Sequence, residues 1–286
     1  MSENLFSRIL QLIGLCLNRA IYKRCDYVIV HNHYFKEYIW KIYLECQMEK
    51  GKILVIPHIV DTNEFVPLVK NEAVDYLRKY LDNHLIQQIL TKVIIGYSGL
   101  LSNTIGSDIL TKIFQLFEND DRFIFLIVGE GSLKQKLIDF VRQHKIRNVW
   151  FIGPFSYKLM KYVINLFDIA IITSYHRKMI APSIYWFPKK LVEYAACGKP
   201  ILFIGISKII KNYLNRYRAG ICIQPEMIER VKSAVTSHII PSSYYTTFSQ
   251  NSRKLAEEFS LSKAMRKLRR LLQTIEKYDL SVDVRV

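Results

Sequence analysis

Short unbroken apolar runs recur along the chain. They are Tyr27-Val28-Ile29-Val30, Ile53-Leu54-Val55-Ile56, Val93-Ile94-Ile95-Gly96-Tyr97, Phe123 to Val128, Val149-Trp150-Phe151-Ile152, Ile169-Ala170-Ile171-Ile172, Ile201-Leu202-Phe203-Ile204 and Ala219-Gly220-Ile221-Cys222-Ile223. They are apolar throughout, where a strand with one wet face would alternate. Between them the spacing turns helical, as at Leu133, Leu137, Phe140 and Val141. Strand–helix alternation with strands covered on both faces predicts an α/β fold, a Rossmann-like doubly wound parallel sheet.

The remaining segments punctuate this rhythm. Leu5 to Cys16 has an amphipathic pattern broken by Arg8 and Gln11. It is too short to span a bilayer and lacks a secretory cleavage pattern. Such a helix is expected to pack into a core, with binding at a membrane interface as the lesser alternative. Pro57 and Pro67 bracket Asp61-Thr62-Asn63, which reads as a turn and linker, and a polar helix follows from about Asn71 to Gln88. Ser252 to Lys277 reads as a long charged helix whose second part Ser260 caps, with Leu261, Met265, Leu268, Leu271 and Leu272 as its buried face.

Composition narrows the classes. Of 286 residues half are hydrophobic and 13% aromatic, which excludes a disordered chain and supports a sizeable core. Lysine and arginine exceed acids by 41 to 25, giving +16, which fits nucleic acid, an anionic membrane surface, a phosphorylated small molecule or merely a solvated basic surface. No zinc-finger spacing, RNP-like aromatic run or P-loop accompanies the charge, so no nucleic-acid partner is expected. Cys16, Cys25, Cys46, Cys197 and Cys222 are scattered and never form CxxC. That suits thiols packed as small apolar residues in a reducing cytosol.

Ligands of open α/β sheets bind beyond the carboxyl ends of the strands, so the residues after each run are the candidates. Ser98-Gly99-Leu100-Leu101 follows the third run and Gly129-Glu130-Gly131-Ser132 the fourth. Glycines there admit close backbone approach, and a helix N-terminus beyond them attracts anions; βα turns also use glycine for purely structural reasons. The longest signal is Phe187-Pro188-Lys189-Lys190-Leu191-Val192-Glu193-Tyr194-Ala195-Ala196-Cys197-Gly198-Lys199-Pro200. Pro188 suits the first turn of a helix that Gly198 and Pro200 end. Its start aims a partial positive charge at the cleft, Lys189 or Lys190 adds charge for a diphosphate, and Glu193 accepts from ribose hydroxyls. The plain alternative is a solvated lysine pair and a surface glutamate.

Residues 187–200 resemble the donor-site signature of GT-B glycosyltransferases of the large family 4 type. Other pieces follow in that family's order: Asp26 to Val30, Ile56-Pro57-His58-Ile59-Val60-Asp61 through Pro67, Gly96-Tyr97-Ser98-Gly99, Ile127-Val128-Gly129-Glu130-Gly131, then Phe151-Ile152-Gly153 and Asp168-Ile169 on the base-binding side. The resemblance covers about residues 20–275. It implies a metal-independent, retaining transferase that takes its sugar from a nucleotide diphosphate sugar. No further cofactor is expected, and the chain carries no Asp-x-Asp pair. It places Ser98, Gly99, Gly131, Phe187, Pro188, Lys190, Leu191 and Glu193 at the donor, with Glu193 on the ribose and Lys190, Leu191 and the Gly99 turn near the diphosphate; the resemblance assigns no catalytic residue.

The chain departs from the family in three places. Tyr185 stands where many members carry a second glutamate. Leu100 and Thr104-Ile105-Gly106 stand where an arginine and a lysine usually hold the diphosphate, with Lys189, Lys190, Arg177 or Lys178 as replacements. Only the last elements of an acceptor domain precede the linker. The expected organisation is therefore a remnant of the acceptor domain and linker (1–67), a nucleotide-sugar-binding domain (68–250) and a C-terminal helix (251–286). The chain is then a fragment of a longer gene or a subunit completed by a second chain. A cytoplasmic location, peripheral to the inner membrane face and in cell-surface polysaccharide or glycolipid synthesis, fits the basic surface and amphipathic start. A non-catalytic binding or scaffold protein of the same fold is the rival.

Overall fold

The computed structural model describes residues 5–41, 50–102, 106–174 and 185–282. Contacts divide the chain into two units, Met1–His58 and Ile59–Val286.

The smaller unit contains helix α1 (Leu5–Lys23), strand β1 (Val28–Val30), helix α2 (His33–Ile39) and strand β2 (Ile53–Val55). The strands pair in parallel, Val28 opposite Ile53, and Val28, Val30, Ile39 and Ile53 bury a small core between them and α2. Asn32 caps α2 by accepting from the Phe35 amide at 2.9 Å. The imidazoles of His31 and His58 stack at 4.2 Å. The expectation that α1 packs into a core is overturned, because Ile9, Leu10, Leu12, Ile13 and Leu15 are all exposed. Cys16 is exposed with them, whereas Cys197 is buried and behaves as the expected small apolar residue; Cys46 lies outside the described residues. Among the described residues no helix is long and apolar enough to cross a membrane.

The larger unit begins with the linker. Asp61 accepts from the Asn63 amide at 2.9 Å, the expected turn, while Val60 and Phe65 already lie in the unit's core. Two helices follow, α3 (Lys70–Leu77) and α4 (Asn83–Thr91). The single polar helix expected here is broken because Asp82 adopts an extended backbone and caps α4 through the Leu85 amide. Nor is the segment simply polar, since Ala73, Val74, Leu77, Leu85, Ile86 and Ile89 are buried. Then come β3 (Val93–Ser98), α5 (Ser107–Phe117), β4 (Phe123–Val128), α6 (Lys134–Gln143), β5 (Val149–Ile152), α7 (Tyr157–Asn165), β6 (Ile169–Ser174), α8 (Lys189–Ala196), β7 (Ile201–Gly205), α9 (Lys208–Tyr217) and β8 (Gly220–Ile223). A short helix α10 (Val231–Ala234), α11 (Ser242–Glu257) and α12 (Leu261–Val282) complete the described chain.

The six strands form one sheet in the order β5-β4-β3-β6-β7-β8, every neighbouring pair parallel. This is the doubly wound order, with its reversal between β3 and β6. The period of two explains why the strands read as solid apolar runs. Ile94, Ile124, Leu126, Ala170, Ile172, Ile201 and Phe203 face one core layer, shared with α3, α4, α7 and α8. Ile95, Phe123, Phe125, Ile127, Ile169, Ile171, Leu202 and Ile204 face the other, under α5, α6 and α10. Each buried Ile or Phe contributes roughly 1.5–3 kcal/mol, enough to fix the register.

The C-terminal expectation is half right. The helix does break before Ser260, giving α11 and α12. However, Leu261, Met265 and Leu272 are exposed, and the buried face belongs instead to α11, through Ser252, Leu255 and Ala256. From α11 the Arg253 guanidinium donates to the carbonyls of Phe65 and Ala196, each at 2.6 Å, and of Thr62. It thereby ties the linker to the end of α8. Arg253→Ala leaves these carbonyls without a charged donor and is expected to cost about 2–4 kcal/mol in urea unfolding; a change below about 0.5 kcal/mol would remove this role.

Candidate functional site

The reversal of strand order between β3 and β6 places the ligand cleft beyond their carboxyl ends. Three segments meet there: the turn after β3, the turn after β4 and the start of α8. The two turns are stitched backbone to backbone. Gly99 N–H donates to Val128 O at 2.9 Å, Leu101 N–H to Glu130 O at 2.7 Å and Leu133 N–H to Leu101 O at 2.9 Å. Contact is so close that a Cβ on Gly129 would lie 2.0 Å from Gly99 O, and one on Gly131 2.3 Å from Leu101 O. Gly99 itself has φ +134°, and a Cβ there would lie 2.8 Å from Lys190 Nζ. Glycine is required so that this lysine can lie against the turn.

Helix α8 is fixed to the same turn. Tyr194 is fully buried; its hydroxyl accepts from Ser98 N–H at 2.7 Å and Ser98 Oγ at 3.1 Å, and donates to Ser98 O at 3.2 Å. One proton and two lone pairs are all in use. Burial first, then the charge of Glu193, raises the Tyr194 phenol above its ordinary value, against the lowering bonds from Ser98, so the donating proton stays in place. One turn earlier, Lys190 Nζ sits 3.8 Å from the Tyr97 ring centroid, a cation–π contact. Burial pulls the Lys190 amine down to about 7, partly opposed by the Glu193 charge.

On the outer side of α8, Lys189 Nζ lies 3.4 Å from Glu193 Oε1. It donates to the Tyr157 hydroxyl at 3.0 Å and lies 4.1 Å from that ring's centroid. The Glu193 side chain is mostly covered, 12% exposed.

Ser98, Gly99, Lys190 and Glu193 are therefore brought together, and Gly131 holds the adjoining turn. Pro188 is not in the first helical turn as expected; it is the residue before it, with extended backbone, and its carbonyl receives the Leu191 N–H at 3.1 Å. Phe187 packs on Tyr213 and Phe259 at 5.6 and 5.0 Å, and Leu191 is fully buried. Their side chains serve the core. Tyr185 is half-buried. Thr104, Ile105, Arg177 and Lys178 lie outside the described residues, while Gly106 caps α5 in a left-handed conformation.

Asp168, expected on the base-binding side, lies elsewhere. It precedes β6, pairs with Lys70 at 2.6 Å and accepts from Ile94 N–H at 2.7 Å. It thus staples the amino ends of the strands, opposite the cleft. Those amino ends also border a groove of about 450 Å³ lined in part by His84, Lys92, Asp121, Arg147 and Trp150.

Sequence reasoning missed Tyr97, Tyr157 and Tyr194. Tyr157 opens α7 just beyond the carboxyl end of β5, and applying the strand-end rule to that run as to the others finds it.

A family model described as glycosyl transferases group 1 matches residues 83–255. No curated protein sequence is similar enough to this one to count as a match. Among solved structures, the sucrose-phosphate synthase of Thermosynechococcus elongatus matches with a TM-score of 0.71 at 16% identity, over 92% of this chain and 62% of its own. A glycosyltransferase of Rickettsia africae ESF-5 gives 0.69 at 17%, over 91% and 67%. Anabaena HepE, in a complex with UDP-glucose, gives 0.70 at 14%, over 92% and 68%. This chain thus spans less than two thirds of the sucrose-phosphate synthase, and the likenesses establish a shared fold, that of the GT-B glycosyltransferases.

Proposed function

We propose that this chain, which belongs to the family of glycosyl transferases group 1, binds a nucleotide diphosphate sugar at the cleft beyond β3, β4 and β6 and supplies the donor half of a glycosyl transfer reaction. The observation that carries this reading is the convergence of a glycine turn, the α8 N-terminus and Lys190 beside Glu193. In that arrangement the backbone of the Gly99 turn approaches the diphosphate. The N-terminal amides of α8 and the Lys190 ammonium supply positive potential where charge accumulates on the leaving diphosphate. Glu193 accepts from the ribose hydroxyls one helical turn away. Pre-set donors of this kind stabilise a departing diphosphate without a metal, which is the basis for reading the reaction as metal-independent; retention is carried over from the resemblance. HepE, a structural neighbour, is described in a complex with UDP-glucose, which makes uridine nucleotides the first to try.

The acceptor side is read from the smaller unit. Among its described residues two strands pair, too few to make a stable sheet alone, which supports a partner chain on the acceptor side. The exposed apolar residues of α1 and the +16 charge support a lipid-linked acceptor at an anionic membrane surface, on the cytoplasmic side, in polysaccharide or glycolipid assembly. A scaffold without transferase activity is the second reading. Leu100 and Tyr185, which stand where the resemblance leads one to expect an arginine and a glutamate, favour it.

The test is calorimetric titration of the intact chain with UDP, GDP, ADP and their common sugars. One nucleotide is expected to bind, and Glu193→Ala to weaken it about 10–100-fold, the worth of a charged hydrogen bond. Binding that Glu193→Ala leaves unchanged, or no binding at all, would overturn the donor-site reading.

A further inference from the structure

A carboxylate chosen to hold a ribose has an electrostatic problem. It stands within one helical turn of the place where a diphosphate is read to bind, and two anions at that range repel. Glu193 also sits on the first turns of a short helix, where a free side chain has several rotamers. Something must hold its charge and its direction.

Resting on the donor-site reading above, we infer that Tyr157 and Lys189 are positioning residues that orient the Glu193 carboxylate for the ribose. Lys189 Nζ approaches one carboxylate oxygen, Glu193 Oε1, at 3.4 Å. Tyr157 also interacts with the carboxylate, whose remaining lone pairs accept from a hydroxyl. Lys189 is in turn fixed by Tyr157, whose ring lies under the ammonium at 4.1 Å and whose hydroxyl receives its hydrogen bond at 3.0 Å. Tyr157 comes from α7 and the pair Lys189–Glu193 from α8, so the contact locks two helices at the rim of the site. The ring is itself backed by Phe65 at 5.6 Å.

The charge states agree with this geometry. For Lys189 burial works against the charge, but the Tyr157 bond and Glu193 outweigh it and its pKa stands above the ordinary lysine value. Burial first, opposed by Lys189 and assisted by Glu193, holds the Tyr157 phenol protonated. The lysine therefore stays charged through neutral pH and cancels much of the carboxylate's field on the diphosphate. With Tyr157 and Glu193 each taking one, a third ammonium proton remains.

A group that merely braces the fold changes stability without changing which sugar hydroxyls are recognised. Ribose discrimination separates the two roles. The measurement is the affinity ratio of UDP to 2′-deoxy-UDP (or the equivalent pair for whichever nucleotide binds), on the intact chain and on Tyr157→Phe, Lys189→Met and Lys189→Arg, with thermal melts alongside. The intact chain is expected to favour the ribonucleotide about 10-fold or more. Lys189→Met reduces that preference at least threefold, Tyr157→Phe reduces it by a smaller factor because the ring contact survives, and Lys189→Arg restores most of it. All three variants are at half-exposed or exposed positions and melt within a few degrees of the parent. If Glu193→Ala abolishes the discrimination but Lys189→Met and Tyr157→Phe leave it intact, the positioning role is overturned and the donor site stands. If no ribonucleotide binds, or Glu193→Ala changes nothing, both are overturned.

Discussion

Replacing Lys190 by methionine is expected to weaken binding of a nucleotide diphosphate sugar about 10–100-fold, the worth of a charge-assisted hydrogen bond. Methionine keeps the stem packed against the Gly99 turn and over the Tyr97 ring, so the loss isolates the charge. Lys190 also fixes a pH dependence. Burial places its amine at about 7, with Glu193 opposing. An arriving diphosphate favours the charged form and raises that pKa, so above pH 7 binding must take up a proton. Affinity is full below pH 7. It falls by up to tenfold per unit as pH rises, until pH reaches the pKa of the complex. A nucleotide sugar is the proper ligand because its diphosphate does not titrate between pH 7 and 9. Titrations across that window, with buffers of different ionisation enthalpy, should show proton uptake in the parent chain and a flat profile in Lys190→Met. A parent profile as flat as the variant's would remove Lys190 from the diphosphate.

The second large effect is at Gly129. Its φ of +143° and the 2.0 Å from its would-be Cβ to Gly99 O leave no room for a methyl group. Strain in this backbone region costs about 1–3 kcal/mol before any clash. The clash is with backbone in the first turn, which cannot swing aside. Gly129→Ala is expected to destabilise the larger unit by about 4 kcal/mol or more and to abolish donor binding in whatever folds. The contrast is Gly14→Ala in α1, where nothing lies within 4 Å of the added atom; there the change is neutral or mildly stabilising. Comparable melting curves for Gly129→Ala and Gly14→Ala would mean that the two turns are not interlocked.

How much of this was written in the chain depends on whether a partner far along the sequence is needed. The strands were legible because both faces are covered, which leaves runs such as Phe123 to Val128 with no polar position. The β3 and β4 turns were legible because the sheet's geometry demands glycine at its carboxyl ends. The Phe187 to Pro200 segment was legible because a proline, a lysine pair, a glutamate and a glycine lie within one helix. Neither Tyr194, inside that segment, nor Tyr157, just past the end of β5, shows locally which partner it bonds. Tyr194 matters because it reaches Ser98, and Tyr157 because it reaches Lys189; the partners are 96 and 32 residues away. Arg253 is the same case, spanning 188 residues to Phe65. Local patterns also misled. Asp168 looked like part of a nucleotide motif but serves the amino ends of the strands. The amphipathic faces of α1 and α12 promised burial, yet Leu12, Met265 and Leu272 are exposed, since an apolar stripe specifies a partner without saying which.

The donor site is a place on the molecule, so a crystal structure of the intact chain with the nucleotide sugar that binds tests it most directly. The diphosphate is expected within hydrogen-bonding distance of Lys190 Nζ and against the Gly99 turn, with the ribose hydroxyls on Glu193. A nucleotide seated elsewhere, for example in the groove lined by His84, Arg147 and Trp150 at the amino ends of the strands, would contradict it.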